Sequence, residues 1–320
     1  KEKVEQHVKY IHQKGLKFNY LLNATCLDNL ETTREFNIKL QSLLEWLGSM
    51  KVDYITLTLP MLIDRVREVL PDVKISLSTF ANVSTIRQAK YYEDRGVYEI
   101  TLPESKNRDF KFLEQLKKHT NCNYQLIATN DCLINCPLRH SHSNFQSHAS
   151  QCQHITQGFA LDYCMLRCTQ QKIIKPEELL KSPWIRPEDL KIYEDLGYDK
   201  IKLTERMKIT TKIADTAKAY SNRNYNGNLL SLLNSRISED DFEIPDFSIN
   251  ANDKFVPQTN MAKFYKLLFS LKATIDNKKL DGFIEGFKTK NCSISDCEQC
   301  GYCKSWAKKV IKIDHNVDEK

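Results

Sequence analysis

Long apolar runs are what this chain most plainly lacks. Nothing in it approaches the roughly 18 uninterrupted apolar residues of a membrane span, so partners in a bilayer are not expected. The first residues, KEKVEQHVKYIHQKG, form a basic amphipathic segment without the apolar core of a signal peptide, which points to a cytoplasmic setting. The sequence has no internal repeat beyond a strand–helix unit and no low-complexity tract. Both G-x-S-x-G and H-E-x-x-H are missing, which removes the recognisable serine-centred and metalloprotease motifs. The net charge of +6 is mild. It permits contact with nucleic acid or anionic metabolites and requires neither.

Cysteine, by contrast, is plentiful: 11 residues, five of them between 132 and 168 and four between 292 and 303. Disulfide-dense scaffolds are usually short secreted chains, so crowded thiols in a chain of 320 residues point to metal instead. Composition otherwise fits a soluble globular protein, with 41% hydrophobic and 28% charged residues.

Six strand-like runs can be read: KFNYLLNAT, DYITLTL, VKISLSTF, VYEITLP, NYQLIAT and DKIKLTE. Helix-like stretches between them, such as TREFNIKLQSLLEWLGS and PMLIDRVREVL, make this a strand–helix alternation with parallel strands. The expected fold is α/β, a TIM-type (β/α) barrel short of about two of its eight strands. Two domains are expected: a βα-barrel over 1–235, then a helical, cysteine-rich C-terminal extension over 236–320. Within that extension MAKFYKLLFSLKATI reads as a helix.

Barrel chemistry sits at the C-terminal ends of the strands. Cys132 opens the loop after NYQLIAT, and Glu104 stands in the same place after VYEITLP. Cys132 with Cys136, and Cys164 with Cys168, are C-x3-C pairs; on a helix or tight turn that spacing aims two thiols the same way. Thiolates suit iron–sulfur clusters and zinc alike, but zinc more often uses C-x2-C knuckles. A radical-SAM arrangement would need a third cysteine where Arg139 stands. The four thiols are expected to converge on one centre, with Cys152 as the spare. Cys292, Cys297, Cys300 and Cys303 form a second metal candidate, either a further 4Fe–4S cluster or zinc. Cys26 and Cys122 read as ordinary thiols.

Arg139, His140, His142 and His148 can bind an anion or shuttle protons, or can be a solvated loop. Lys202 and Arg206 can neutralise an anion at the barrel mouth or form a structural salt bridge. Glu104, Arg139, His140, Lys202 and Arg206 are therefore the candidate catalytic residues.

Three runs carry a more specific signal: DYITLTLPMLIDRVREVLPDVKISLST, LSTFANVSTIRQAKYYEDRGVYEITLPES and RPEDLKIYEDLGYDKIKLTERM. They resemble the collagenase-like (U-32) peptidase family over roughly residues 8 to 225. The resemblance implies that the family's first βα units precede Lys1. It implies a place in a family of reputed peptidases that also contains oxygen-independent, iron–sulfur hydroxylation proteins acting on tRNA uridine and ubiquinone. From that branch it implies a 4Fe–4S cluster at the barrel mouth, with Cys132 and Cys136 in the place of the first two ligands. Two departures accompany it. Ala128 and Thr129 replace a histidine–glycine pair, and Lys202, Leu203, Thr204, Glu205, Arg206 replace a motif whose glutamate comes earlier. The reading favoured is an iron–sulfur redox enzyme modifying an anionic or polar small molecule, peptide or RNA, with an electron-donor protein as a further partner. A collagenase-like peptidase with structural metal and a non-catalytic peptide- or RNA-binding subunit are the alternatives.

Overall fold

The computed structural model describes residues 1–151, 162–204, 208–237 and 271–314. Six parallel strands form one sheet in chain order: β1 (Asn19–Leu22), β2 (Tyr54–Leu57), β3 (Lys74–Leu77), β4 (Glu99–Thr101), β5 (Asn123–Ile127) and β6 (Lys200–Lys202). Each lies inside one of the six runs read from the sequence. With helices between consecutive strands, this is the α/β connectivity of a partial (β/α) barrel.

The chain divides into two compact units. The first comprises Lys1–Pro103, Gln115–Gln125 and Ser143–Ala160. It holds β1 to β4 and the first residues of β5, with helices α1 (Glu2–Gln13), α2 (Arg34–Ser49), α3 (Pro60–Val69) and α4 (Ile86–Glu93). Local chemistry sets these helix limits. Thr33 caps α2 by accepting from the Phe36 amide, Pro60 opens α3, and Thr85 with Gln88 makes a full capping box on α4. After α4 the chain reverses through Gly96 at φ +71, a conformation that favours glycine. The sheet presents two different faces. Ile55, Leu57, Ile75, Leu77 and Ile100 are wholly buried against helix residues such as Leu44, Leu47 and Val66. On the other parity the register aligns Thr56, Ser76 and Glu99, all buried. Thr56 donates to Asn19 at 2.9 Å, Ser76 to Glu99 at 3.1 Å, and Thr101 to Gln125 at 3.1 Å. The polar face is therefore satisfied by cross-strand hydrogen bonds.

The second unit comprises Glu104–Glu114, Leu126–His142 and Leu161–Lys320. Here the end of β5 meets β6, with the Ala128 amide donating to the Lys202 carbonyl. Buried tyrosines tie its loops to carbonyls: Tyr193 to Asn107, Tyr198 to Leu113 and Tyr220 to Ile185. Arg186 is 2% exposed, forks onto Asp189 with two 3.0 Å bonds, and also reaches Asn277 and Asp281. The fork onto Asp189 sets the guanidinium, and its Nη1 bonds to Asn277 and Asp281 tie the C-terminal segment to the chain near residue 186.

One expected element differs. The end of MAKFYKLLFSLKATI is not helical: β7 (Lys272–Ile275) pairs antiparallel with β8 (Ile311–Asp314). Alternating burial along Lys272–Ile275, with the β-branched Thr274 and Ile275 opposite Lys312 and Ile311, accounts for the change. Positions 261–270 of that run lie outside the described residues. Beyond β7 the extension is built of short helical turns and two helices, Cys297–Cys300 and Tyr302–Val310. Its aromatic side chains pack together, with Phe283 stacked on Tyr302 at 5.6 Å and also against Trp184 and Trp306. Gly286 makes this possible, since a Cβ there would stand 2.3 Å from the Tyr302 ring.

Candidate functional site

The loop leaving β5 carries Cys132 and Cys136 on a turn that ends at α6 (Arg139–Ala149). Asn135, at φ +47, takes the left-handed conformation just before Cys136, which the asparagine side chain tolerates. Cys164 and Cys168 lie four residues apart on α7 (Tyr163–Ile174), so they share one helix face with Lys172 a further turn on. Asp162 starts this helix by accepting from the Met165 amide at 2.8 Å, and its second oxygen meets His142 Nε2 at 2.8 Å.

The two pairs lie near each other: the charge of Cys168 bears on Cys132 and Cys164, and that of Cys136 on Cys164 and Cys168. Burial pushes the Cys132 thiol well up; Glu104, Asp131 and Cys168 push the same way, and Lys172 opposes them. Burial also raises Cys168, with Asp131 and Cys136 adding to it and Lys172 partly offsetting it. Cys164 is raised by burial, then by Asp162, Cys136 and Cys168. The physical cause is shared: ionising one thiol in a poorly solvated pocket beside others is unfavourable. Among the described residues, no three His, Cys, Asp or Glu side chains are grouped tightly enough to hold a single metal ion.

Lys172 was not among the residues singled out in the sequence. It is 4% exposed, its Nζ lies 2.8 Å from Asp131 Oδ2, and it hydrogen-bonds Cys168. Burial alone would pull this ammonium down, yet Asp131, Cys168 and Cys132 outweigh it and hold it above the usual lysine range. A charged lysine is thus fixed among the thiols. Its only sequence signal was an eight-residue offset from Cys164 on a helix face.

A second network lies beside Cys132. Glu104, 3% exposed, accepts from Asn130 Nδ2 through Oε1 and from Arg139 Nη1 through Oε2, each at 2.5 Å. Thr204 Oγ1 donates to Asn130 Oδ1, and Thr129 and Thr204 hydroxyls meet at 3.1 Å. Arg139 is desolvated, but Glu104 more than compensates and keeps the guanidinium firmly charged. Asn130 went unnoticed in the sequence, and Thr129 and Thr204 were singled out only as departures from the family pattern, because only the strand ends bring 129–130 and 204 together. Thr129 and Thr204 stand where the family pattern differs, and here they act as a hydrogen-bonding pair.

Among the other candidates, His140 is exposed on α6 and Lys202 lends its backbone carbonyl to the sheet. Arg206 and Cys152 lie outside the described residues. The Cys26 sulfur accepts from the Asp28 amide, and the Cys122 thiol donates to the Val97 carbonyl. The tail thiols Cys292, Cys297, Cys300 and Cys303 form a separate neighbourhood: Cys292 interacts with Cys297 and Cys300, and Cys303 with Cys292 and Cys297. No described helix is long and apolar enough to cross a membrane.

Comparison with known proteins identifies the family. An uncharacterized protease of Methanocaldococcus jannaschii, MJ1657, is 30% identical over 315 residues, covering 98% of this chain and 83% of its own. A solved structure described as the U32 peptidase Mk0906 is 21% identical, with a TM-score of 0.47 over 62% of this chain and 73% of that one. The family described as Peptidase family U32 matches residues 1–227. The chain is a member of peptidase family U32.

Proposed function

We propose that the protein is an iron–sulfur redox enzyme in which Cys132, Cys136, Cys164 and Cys168 hold a 4Fe–4S cluster, and that it modifies an anionic or polar substrate, a small molecule, peptide or RNA, by oxygen-independent hydroxylation or a related reaction. The observation that carries this reading is that the helix bearing Cys164 and Cys168 meets the loop bearing Cys132, with Lys172 Nζ 2.8 Å from Asp131. The donor set is all sulfur, which suits iron–sulfur clusters. The two C-x3-C pairs favour a cluster over zinc, which more often uses C-x2-C knuckles. When bound, such a cluster supplies one-electron transfer.

The chain's own residues then have definable tasks. Four thiolates around a cluster leave net negative charge in a buried place, and Lys172 offsets part of it while donating to Cys168. Asp131 holds the Lys172 ammonium in place. Glu104 fixes Arg139 and Asn130, so that a fixed positive charge and an amide stand beside Cys132 for a polar substrate group. An electron-donor protein is proposed as a further partner that reduces the cluster, while hydroxylation with water as the oxygen source releases two electrons that an oxidant must take up.

Hydrolysis is the second reading, favoured by the word protease in the name of the Methanocaldococcus relative. It needs a nucleophile or water beside a base. The two separate in one experiment. Anaerobically isolated protein should show absorbance near 400 nm that bleaches on reduction and should leave peptides intact. Colourless protein that cleaves peptides would reverse the choice.

A further inference from the structure

The second unit contains a buried arginine with no carboxylate to match it. Arg108 is 2% exposed. Its Nη1 donates to the Leu180 carbonyl at 2.6 Å, while Nε and Nη2 have no hydrogen-bond partner. Its guanidinium carbon lies 4.5 Å from the Phe287 ring centre, 4.7 Å from Trp184 and 5.3 Å from Phe283. Aromatic faces attract a cation, but they do not satisfy N–H groups. Arg186, equally buried, shows how the same side chain is normally accommodated, with Asp189 on its fork and two further acceptors. A desolvated guanidinium with two idle donors calls for an anion.

Phe283, whose ring centre lies 5.3 Å from the guanidinium carbon, stacks on Tyr302 at 5.6 Å and so brings the tail beside Arg108. There Cys303, Tyr193 and Cys292 are among the groups whose charge bears on it. Two of these belong to the tail quartet, whose thiols also interact with one another. A second cation, Lys181, interacts with Cys297 and Cys303. Lys181 already has Glu178 at 2.8 Å, so neutral thiols would leave Arg108 as the cation without a counter-charge. Four thiolates sharing a metal centre carry net negative charge, and sulfur accepts N–H hydrogen bonds. The C-x2-C-x2-C run of Cys297, Cys300 and Cys303, with Gly301 at φ +60 between the last two, resembles the ligand run of ferredoxin-type loops, which favours the cluster over zinc.

We infer that Cys292, Cys297, Cys300 and Cys303 hold an iron–sulfur cluster, and that Arg108 is its built-in counter-cation and N–H donor, set there by the Trp184–Phe283–Phe287 aromatic cage. The inference uses none of the residues of the first pocket. Arg108 is a positioning residue: it stabilises the anionic centre and raises its reduction potential, because a fixed positive charge favours the more negative, reduced form.

The test uses the full chain isolated anaerobically, with iron, acid-labile sulfide and zinc counted per chain. Cys297→Ser with Cys303→Ser should lose one share of iron and sulfide, Cys132→Ser with Cys136→Ser the other, and the two losses should sum to the wild-type content. Arg108→Gln should keep the iron but move one cluster's reduction potential downward, while Arg108→Lys restores most of it. Circular dichroism on both arginine variants separates this from misfolding. If Arg108→Gln unfolds, the Arg108→Lys potential, intermediate or unchanged, still decides whether charge is the operative feature. Loss of zinc in place of iron from the tail variant, or no loss, overturns the inference. Iron lost only in the Cys132 and Cys136 variant leaves the first pocket's reading standing and overturns this one. An Arg108→Gln potential equal to wild type overturns the arginine's role.

Discussion

The two thiol pockets of the second unit differ in what surrounds the sulfur. Around Cys132, Cys136, Cys164 and Cys168 stand carboxylates as well as cations: Glu104 and Asp131, each paired with Arg139 or Lys172. Near the tail quartet Lys181 is paired with Glu178, but Arg108 has aromatic rings in place of a carboxylate, with Trp184, Phe283 and Phe287 around its guanidinium. Paired acids and bases at a strand end can exchange protons and orient a polar substrate. An aromatic cage excludes water and offers nothing to exchange. The first pocket is thus equipped for chemistry and the second for holding charge.

The largest effect should follow from breaking the first pocket. Cys136→Ala is expected to remove that pocket's chromophore and any reductant-dependent modification, while the tail quartet's iron remains. Next comes Lys172→Met, which keeps much of the side-chain volume but removes the ammonium beside Cys168 and leaves Asp131 unpaired. Outer groups of this kind typically change metal retention by about 10–100-fold, so chelator challenge should strip the first pocket much faster and the tail at the wild-type rate. If both pockets lose metal equally, the effect is global and the distinction fails.

A smaller effect sharpens the comparison in metal-free protein. Burial pushes the Cys303 thiol up to about 11, with Cys292 and Cys297 adding to it and Arg108 opposing. Its folded value is raised, so the contribution to stability is present below the ordinary thiol range and is lost as pH rises through about 11. Alkylation of Cys303 should therefore begin at higher pH than in free cysteine, read by mass spectrometry of the modified peptide. The smallest effect lies away from both pockets. Burial tends to raise Asp53, but the Phe18 amide and His12 more than reverse this and hold its carboxyl below the usual range. Stability from this group is present above the unfolded carboxylate value and lost as pH falls through the lowered one. Asp53→Asn should flatten the acid limb of a stability–pH profile by about 1 kcal/mol and leave metal content unchanged.

Much of the fold could be read from residue order, because strand and helix signals in the first 222 positions are local. Thr33, Pro60, Thr85 and Gly96 act on their immediate neighbours, and each marks an element limit. The failure at Lys272–Ile275 has the opposite cause. That segment becomes a strand by pairing with Ile311–Asp314, a partner whose distance along the chain no local pattern reveals. The site divides the same way. Cysteine spacing was visible, as was Glu104 at a strand end. Lys172, Asn130, Thr204 and Arg108 matter through contacts 26 to 75 positions away or through burial, as Asn130 with Glu104 and Thr204 with Thr129 illustrate. Arg108 in particular looks like a routine charged residue before a helix. Only its enclosure makes it unusual.

The most direct test is the spectrum and the metal content of anaerobically isolated protein, compared with Cys136→Ala under the same peptide-cleavage assay. The account predicts iron and acid-labile sulfide in the wild type, absorbance near 400 nm that bleaches on reduction and falls sharply in Cys136→Ala, and no cleavage by either protein. Robust proteolysis by metal-free protein, equal in Cys136→Ala, would contradict it.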